Sequence, residues 1–342
     1  MREPAFWHRP SSLTSHLLRP LSALYGAVAA HRLQRTGLDA GIPVICVGNY
    51  HVGGAGKTPT VLALVAMLRE LGERPVVLSR GYGGRLRGPI IVDPARHGAA
   101  DVGDEPLMMA DHVAVTVARD RADGVALAKS QGASVILMDD GFQNPAIAKD
   151  ASLIVIDSER GLGNGRVFPA GPLRAPLSPQ FARTDALVVI GAGHASDAVA
   201  SAVAARGKPV LAARLQPAAD TVAALKGKPV LAFAGIGDPD RFFRTLRASG
   251  IEVKREQAFA DHHPFERAEV EQLVAEADRL GLTPVTTEKD LVRLRTQTVL
   301  ASLATQIVSF PVTLAFNDEA GVRRLLADSL FEARQKVFRN AG

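Results

Sequence analysis

Cysteine is almost missing from this chain: Cys46 is the single thiol in 342 residues, so no disulfide can form within it. Stability then rests on packing, as expected in a reducing compartment, and Cys46 itself reads as a buried structural thiol. Aromatic residues are sparse too, at 5% against 47% hydrophobic residues overall, which implies cores of Ala, Val and Leu. No run of about 18 uncharged apolar residues occurs, so no transmembrane helix is expected. A signal peptide is not expected either. His16, Arg19 and Pro20 break the apolar part of the N-terminus, and no small-residue cleavage site precedes the first strand. Acidic residues are scarce in one region above all. Residues 1–36 hold Arg2, Arg9, Arg19, Arg32 and Arg35 against Glu3 alone, so +4 of the net +5 sits there. The basic excess is confined to this arm and has no aromatic platform beside it, so nucleic acid is not an expected partner.

What is present begins with an apolar run, Ile42 to Val47, that enters Gly48-Asn49-Tyr50-His51-Val52-Gly53-Gly54-Ala55-Gly56-Lys57-Thr58. A helical pattern from Thr58 to Leu71 leaves it and stops at Gly72. Strand, glycine-rich turn, Gly-Lys-Thr and helix is the order of a P-loop. Glycines let backbone N–H groups converge on phosphate oxygens at a helix N-terminus. Val52, Gly53, Gly54, Ala55, Gly56, Lys57, Thr58 and Pro59 are the expected nucleotide-binding residues, with Lys57 on the β- and γ-phosphates and the Thr58 hydroxyl on Mg²⁺. One departure stands out: His51 occupies the place of the first P-loop glycine. A loop that merely turns is the alternative.

Length suits two domains. Apolar runs near 75–78, 113–117, 135–138, 153–156, 186–190 and 210–215 alternate with helical patterns, which predicts a parallel sheet covered by helices on both faces. Active groups then collect at the carboxyl ends of the strands. Residues 216–228 turn small and polar, which sets an expected division into a P-loop domain, 37–222, and a smaller α/β domain, 223–342. Ahead of both lies a basic N-terminal segment, 1–36. Ser11 and Ser12 can cap a short helix there, and Pro20 can start the next. Leu21, Leu24, Tyr25, Val28 and Arg32 then recur at helical steps, which predicts an amphipathic helix. Periodicity leaves open whether its stripe faces the core or an anionic membrane.

Val135-Ile136-Leu137-Met138-Asp139-Asp140-Gly141 is a strand ending in carboxylates, and beside a P-loop such an acid orients Mg²⁺. Asp139 is the expected metal-facing residue, with Asp140 in support. Asp104 in Gly103-Asp104-Glu105-Pro106 can accept a proton from an attacking hydroxyl, or can cap a helix. Asp261-His262-His263-Pro264 can supply a base or cap a helix. Thr287-Glu288-Lys289-Asp290 lacks the spacing that grips guanine, which argues against a GTPase.

These pieces together resemble the tetraacyldisaccharide 4′-kinase family, the lipid A 4′-kinases of Gram-negative bacteria. The resemblance is carried by Val47-Gly48-Asn49, the segment 52–59, Ser79-Arg80-Gly81-Tyr82-Gly83, and Gly103-Asp104-Glu105-Pro106. It continues through Asp139-Asp140-Gly141-Phe142-Gln143, Pro169-Ala170-Gly171-Pro172-Leu173-Arg174, Ala234-Gly235-Ile236-Gly237, Phe259-Ala260-Asp261-His262 and Thr287-Glu288-Lys289-Asp290. It implies transfer of the ATP γ-phosphate to the 4′-hydroxyl of a tetraacylated disaccharide 1-phosphate, giving lipid IVA. It also implies a peripheral enzyme on the cytoplasmic face of the inner membrane, with residues 1–36 meeting anionic lipids. By resemblance, Asp104 and His262 form the base pair, Glu105, Asp139 and Asp140 the acidic metal site, and Arg174 and Arg121 face phosphate. Tyr82 lines the nucleotide or acceptor. Two departures are Ala175, where the family often has Glu, and Asn144, where it often has His. The rival readings are a P-loop GTPase or metallochaperone, and a non-catalytic, nucleotide-gated membrane-binding protein.

Overall fold

The first strand of the computed structural model, β1 (Val44–Gly48), is buried along its whole length. Ile45 and Val47 pack on one face of the sheet with Leu64, Leu137 and Leu153, while Val44 and Cys46 meet Ile136, Ile154 and Leu187 on the other. Side chains alternate across a strand, so covering both faces with helices demands the uninterrupted apolar run seen in the sequence. The structure describes residues 4–9 and 12–341; Arg2, Glu3 and Ser11, which entered the sequence reading, lie outside them.

The other strands are β2 (Pro75–Ser79), β3 (Ile90–Ile91), β4 (Val115–Val117), β5 (Val135–Asp139), β6 (Ala151–Asp157), β7 (Ala186–Ile190), β8 (Val210–Pro217), β9 (Val230–Ala234), β10 (Val253–Ala258), β11 (Thr283–Thr286), β12 (Val308–Ser309) and β13 (Val312–Phe316). Between them run α1 (Leu13–Leu17), α2 (Arg19–Gln34), α3 (Lys57–Glu70), α4 (Ala99–Val102), α5 (Asp104–Ala110), α6 (Arg121–Ser130) and α7 (Leu177–Ala182). The later helices are α8 (Asp197–Ala204), α9 (Ala219–Leu225), α10 (Pro239–Ala248), α11 (Arg267–Leu280), α12 (Glu288–Arg295), α13 (Ala301–Ala304) and α14 (Glu319–Ala341).

Nine strands form one sheet in the order β13-β8-β7-β6-β1-β5-β2-β4-β3. All neighbours are parallel except the two edge pairs, β13 with β8 and β3 with β4. A second sheet, β10-β9-β11-β12, is parallel throughout. The fold is thus the expected P-loop-type α/β sandwich with a smaller α/β unit.

The chain's course departs from the expected division at its far end. After β12 it returns to the large sheet: β13 pairs with β8, and Leu326 and Leu330 of α14 enter the same core as α3. Arg323 with Glu70 and Arg334 with Glu73 tie α14 to the region of α3. Closing β8 this way covers an otherwise open parallel edge. The polar stretch at 216–228 holds α9. The strand expected near 251–253 instead runs from Val253 through Lys254, Arg255, Glu256 and Gln257, a charged and exposed edge of the smaller sheet. Charges there guard the unpaired side of the edge and hide the strand from an apolar pattern.

Helix α2 forms as expected, with its apolar stripe turned away from the core. Ser22, Gly26 and Leu33 are its buried residues, whereas Leu21, Leu24, Tyr25 and Val28 are exposed. Small residues let α2 and the preceding α1 lie close against 166–176: Ser15 Oγ of α1 donates to Ala170 O at 2.6 Å, Ser22 Oγ of α2 donates to Val167 O at 2.7 Å, and Gly26 faces Pro176. Among the described residues no helix is long and apolar enough to cross a membrane.

Candidate active site

The loop after β1 turns into α3 at Gly56, whose φ of +89° is left-handed. A Cβ there would stand 2.6 Å from Ile190 Cδ1, so both conformation and space require glycine. No acceptor among the described residues takes the N–H groups of Gly54, Ala55 or Gly56. They are free, at a helix N-terminus, for an anion. Asn49 Nδ2 braces the loop by donating to Gly53 O at 3.0 Å, and Gln143 Nε2 holds Asn49 O at 2.8 Å. His51 is outside the left-handed region and forms a short antiparallel bridge with Leu173, so no glycine is needed at that position. Burial, with Lys57 and Arg174 nearby, lowers its pKa to about 3, so the ring is neutral.

The two aspartates at the end of β5 are separated by backbone geometry. Asp139 follows the strand inward, where it is 2% exposed and Ser79 Oγ donates to Oδ2 at 3.1 Å. Asp140 has φ +49° and turns to the P-loop side. There Arg174 donates from Nη1 and Nη2 at 3.0 and 3.1 Å, and Lys57 Nζ stands 3.8 Å away. Burial raises the Asp140 carboxyl, but Lys57 and Arg174 outweigh it and bring the pKa to about 2. Asp139 moves the other way: burial, then the charges of Glu105 and Asp140, push its carboxyl well above the usual range. Its Oδ1 is buried without a hydrogen-bond partner.

A cation at this strand end fits that orphaned oxygen and the mutual repulsion of Glu105, Asp139 and Asp140. Among the described residues no three His, Cys, Asp or Glu groups make a closed protein cage. That suits Mg²⁺, which keeps waters and phosphate oxygens alongside one or two carboxylates. Arg121 is 2% exposed, and its Nη1 donates to Ala118 O at 3.2 Å. It therefore has no open face for a phosphate, and its charge acts on Asp139 from within the fold.

Opposite the P-loop, the strands of the small sheet also point their carboxyl ends into the cleft. The Gly235–Gly237 turn after β9 comes close enough that a Cβ on Gly237 would lie 3.7 Å from Gly54 N. Asp104 opens α5 at its first residue, after Gly103 at φ +93°, and Gly103 rather than Asp104 is the cap. Its carboxylate is 4% exposed and faces the small sheet: His262 Nδ1 lies 3.1 Å from Oδ2, Arg293 Nε 3.3 Å and Lys289 Nζ 3.7 Å. Burial alone would raise this carboxyl, but the His262 hydrogen bond and the charges of Lys289, His262 and Arg293 bring it to about 2. An ionised carboxylate only accepts, so Nδ1 of His262 is the donor.

His262 has φ +56°, and the edge of Tyr82 meets its ring at 5.5 Å between centroids. Its neighbour serves the fold: His263 stacks on Phe259 at 4.7 Å and bonds Glu269 at 2.9 Å. Glu105 accepts from Lys289 Nζ at 3.1 Å.

The structure thus gathers Lys57, Asp140 and Arg174 at the end of β5 beside Asp139, and brings His262, Lys289 and Arg293 of the smaller unit onto Asp104 of α5, with Tyr82 against His262. Lys289 and Arg293 were missed as site residues. Thr287-Glu288-Lys289-Asp290 carries part of the family resemblance, but nothing in the segment itself gives Lys289 a role.

Comparison with known proteins agrees with the family resemblance. Residues 14–330 match the family model for tetraacyldisaccharide-1-P 4'-kinase. The tetraacyldisaccharide 4'-kinase of a Bradyrhizobium species (strain BTAi1) is 68% identical over 336 residues, 98% of this chain and 97% of that protein. The enzyme of the same name from Rhodopseudomonas palustris (strain BisB18) is 64% identical over 342 residues, 100% of this chain and 99% of that one. Among solved structures, LpxK from Aquifex aeolicus in complex with ATP superposes with a TM-score of 0.70 at 27% identity, covering 92% of this chain and 99% of that one. The chain belongs to the tetraacyldisaccharide-1-P 4'-kinase family.

Proposed function

We propose that the cleft between the sheets transfers the γ-phosphate of ATP in line to the 4′-hydroxyl of a tetraacyldisaccharide 1-phosphate, giving lipid IVA. The observation that carries this reading is the Asp104–His262 pair, 3.1 Å apart, which joins α5 to the unit whose Gly237 turn comes close to Gly54 of the P-loop. Phosphoryl transfer asks little covalent chemistry of the protein, so most of the rate comes from positioning and charge neutralisation. The free N–H groups of residues 54–56, with Val52, Gly53, Lys57 and Pro59 around them, cradle the phosphates. Lys57 and Arg174 neutralise charge on the group in transfer. Thr58 and Asp139, whose Oδ1 lacks a partner, would hold Mg²⁺, with the charges of Asp140 and Glu105 beside it; when bound it neutralises phosphate oxygens.

Asp104, at a pKa of about 2, is too weak a base to strip a resting hydroxyl. It accepts a hydrogen bond from the acceptor and takes the proton late, once phosphate bonding has made the hydroxyl acidic. His262 holds the carboxylate, and Tyr82, 70% exposed beside it, offers a ring face to the sugar. The test is labelled ATP with the tetraacyl acceptor, scored for a bis-phosphorylated lipid. Asp104→Ala should lower kcat by about 10²–10⁴-fold with little change in KM for ATP. Unchanged turnover would remove the base assignment.

The protein is further read as peripheral on the cytoplasmic face of the inner membrane. Leu13, Leu17, Leu21, Leu24, Tyr25 and Val28 leave one apolar stripe of α1 and α2 uncovered, with Arg19, Arg32 and Arg35 beside it. A stripe of that kind lies in the headgroup layer, where arginines meet anionic lipids.

A further inference from the structure

We infer that Lys289 is a positioning residue of the transfer step, fixing the Asp104 carboxylate so that Oδ1 is the oxygen offered to the acceptor hydroxyl. The inference rests on the reading of Asp104 as the base. All three groups brought by the small sheet converge on Oδ2: His262 Nδ1 at 3.1 Å, Arg293 Nε at 3.3 Å and Lys289 Nζ at 3.7 Å. Among the described residues Oδ1 takes only its neighbour's amide, from Glu105 at 3.2 Å. A carboxylate oxygen has two acceptor sites, so Oδ1 keeps one free while Oδ2 is enclosed. Rotation of the carboxylate, which would exchange the two oxygens, is opposed by the His262 hydrogen bond and by the two cations on the same side.

Lys289 differs from its two companions in reach. Its ammonium also meets Glu105 Oε1 at 3.1 Å and Asp261 Oδ1 at 4.0 Å. It therefore ties two acids of the large sheet's α5 to the turn that carries His262. Arg293 is bound to the small sheet itself, donating to Gly235 O at 2.8 Å and to His263 O at 3.2 Å, and it serves the shape of that turn. Lys289 is 17% exposed on its side chain, so it sits at the cleft wall rather than in the core. Misplacement of a reacting group by about 1 Å costs about 10²-fold in rate, so loosening this carboxylate is a kinetic defect before it is a structural one.

The experiment is a double-substitution cycle read as kcat, KM for ATP and thermal midpoint, using labelled ATP and the tetraacyl disaccharide 1-phosphate in detergent micelles. Lys289→Met should lower kcat about 10- to 100-fold with KM for ATP within about 2-fold, and Lys289→Arg should recover most of the loss. In an Asp104→Asn background the same Lys289→Met change should cost less than about 3-fold, because the group it positions is gone. An equal loss in both backgrounds overturns the inference, as does a loss that follows the thermal midpoint or that Lys289→Arg does not relieve. Asp104→Asn alone reports on the base reading separately: full turnover there would sink that reading, whatever Lys289 does.

Discussion

Adjacent residues in this protein have unlike roles because the backbone turns between them. Asp139 and Asp140 diverge at a left-handed residue, and His262 and His263 diverge at another. The most testable single residue is His51. Its pKa falls from about 6.5 unfolded to about 3 folded, with burial as the main cause. Below the unfolded value the unfolded chain binds a proton that the folded chain refuses, so stability falls as pH drops through this window. Between pH 7 and pH 5 the loss from His51 is about 2 kcal/mol. Urea unfolding at both pH values should show wild type losing about that much more than His51→Ser; equal losses would mean the ring is solvated or paired in the folded state. The resemblance named His262 and Asp104 together, but they stand 158 residues apart and no local pattern joins them. Lys289 lies in a segment that carries the resemblance, but its role and that of Arg293 depend on a carboxylate from another element.

Elements with strong local grammar were legible. The run into β1, the glycine turn and α3 are specified by alternation, φ requirements and helix-start chemistry within about 30 residues. Helix α2 was legible as a helix, while its periodicity left open which way its stripe faces. Ser22, Gly26 and Leu33 make the intramolecular contact, and Leu21 and Leu24 do not. Leu13, Leu17, Leu21, Leu24 and Val28 are all more than half exposed, and Tyr25 beside them rests on Phe168. Leu17→Glu with Leu24→Glu should abolish sedimentation with phosphatidylglycerol-containing vesicles while leaving nucleotide affinity unchanged. Retained sedimentation would detach the membrane reading from this stripe. Strand β10 was legible only at its apolar start, because a charged edge strand carries no hydrophobic period.

At the scale of the whole molecule, the cleft depends on how the two sheets are held. Arg241 of α10 pairs with Asp157 at the end of β6, an aspartate with 4% side-chain exposure that also accepts from Glu159 N and Arg160 N. Nearby, Arg244 and Glu159 pair at 2.9 Å with both side chains more than half exposed. Removing the first should be costly and removing the second should not. Arg241→Ala leaves a buried carboxylate short of a partner, a loss of about 1–3 kcal/mol, and should lower kcat by loosening the wall that carries His262. Arg244→Ala should stay within about 1 kcal/mol and keep full turnover. Thermal unfolding and turnover on both variants check this; equal effects would show that burial does not set the strength of this joint.

The sequence by itself determined the phosphate cradle, the parallel sheet that supports it and the family, because each is written in contiguous residues whose spacing has a direct steric or electrostatic meaning. Tertiary structure alone decided that β13 and α14 return to the large sheet. It also decided that α2 binds the body by its small face, and that a lysine and an arginine from α12 enclose one oxygen of Asp104. Those outcomes depend on which surfaces meet across long stretches of chain. That meeting is set by the summed burial of many side chains, which no local pattern records.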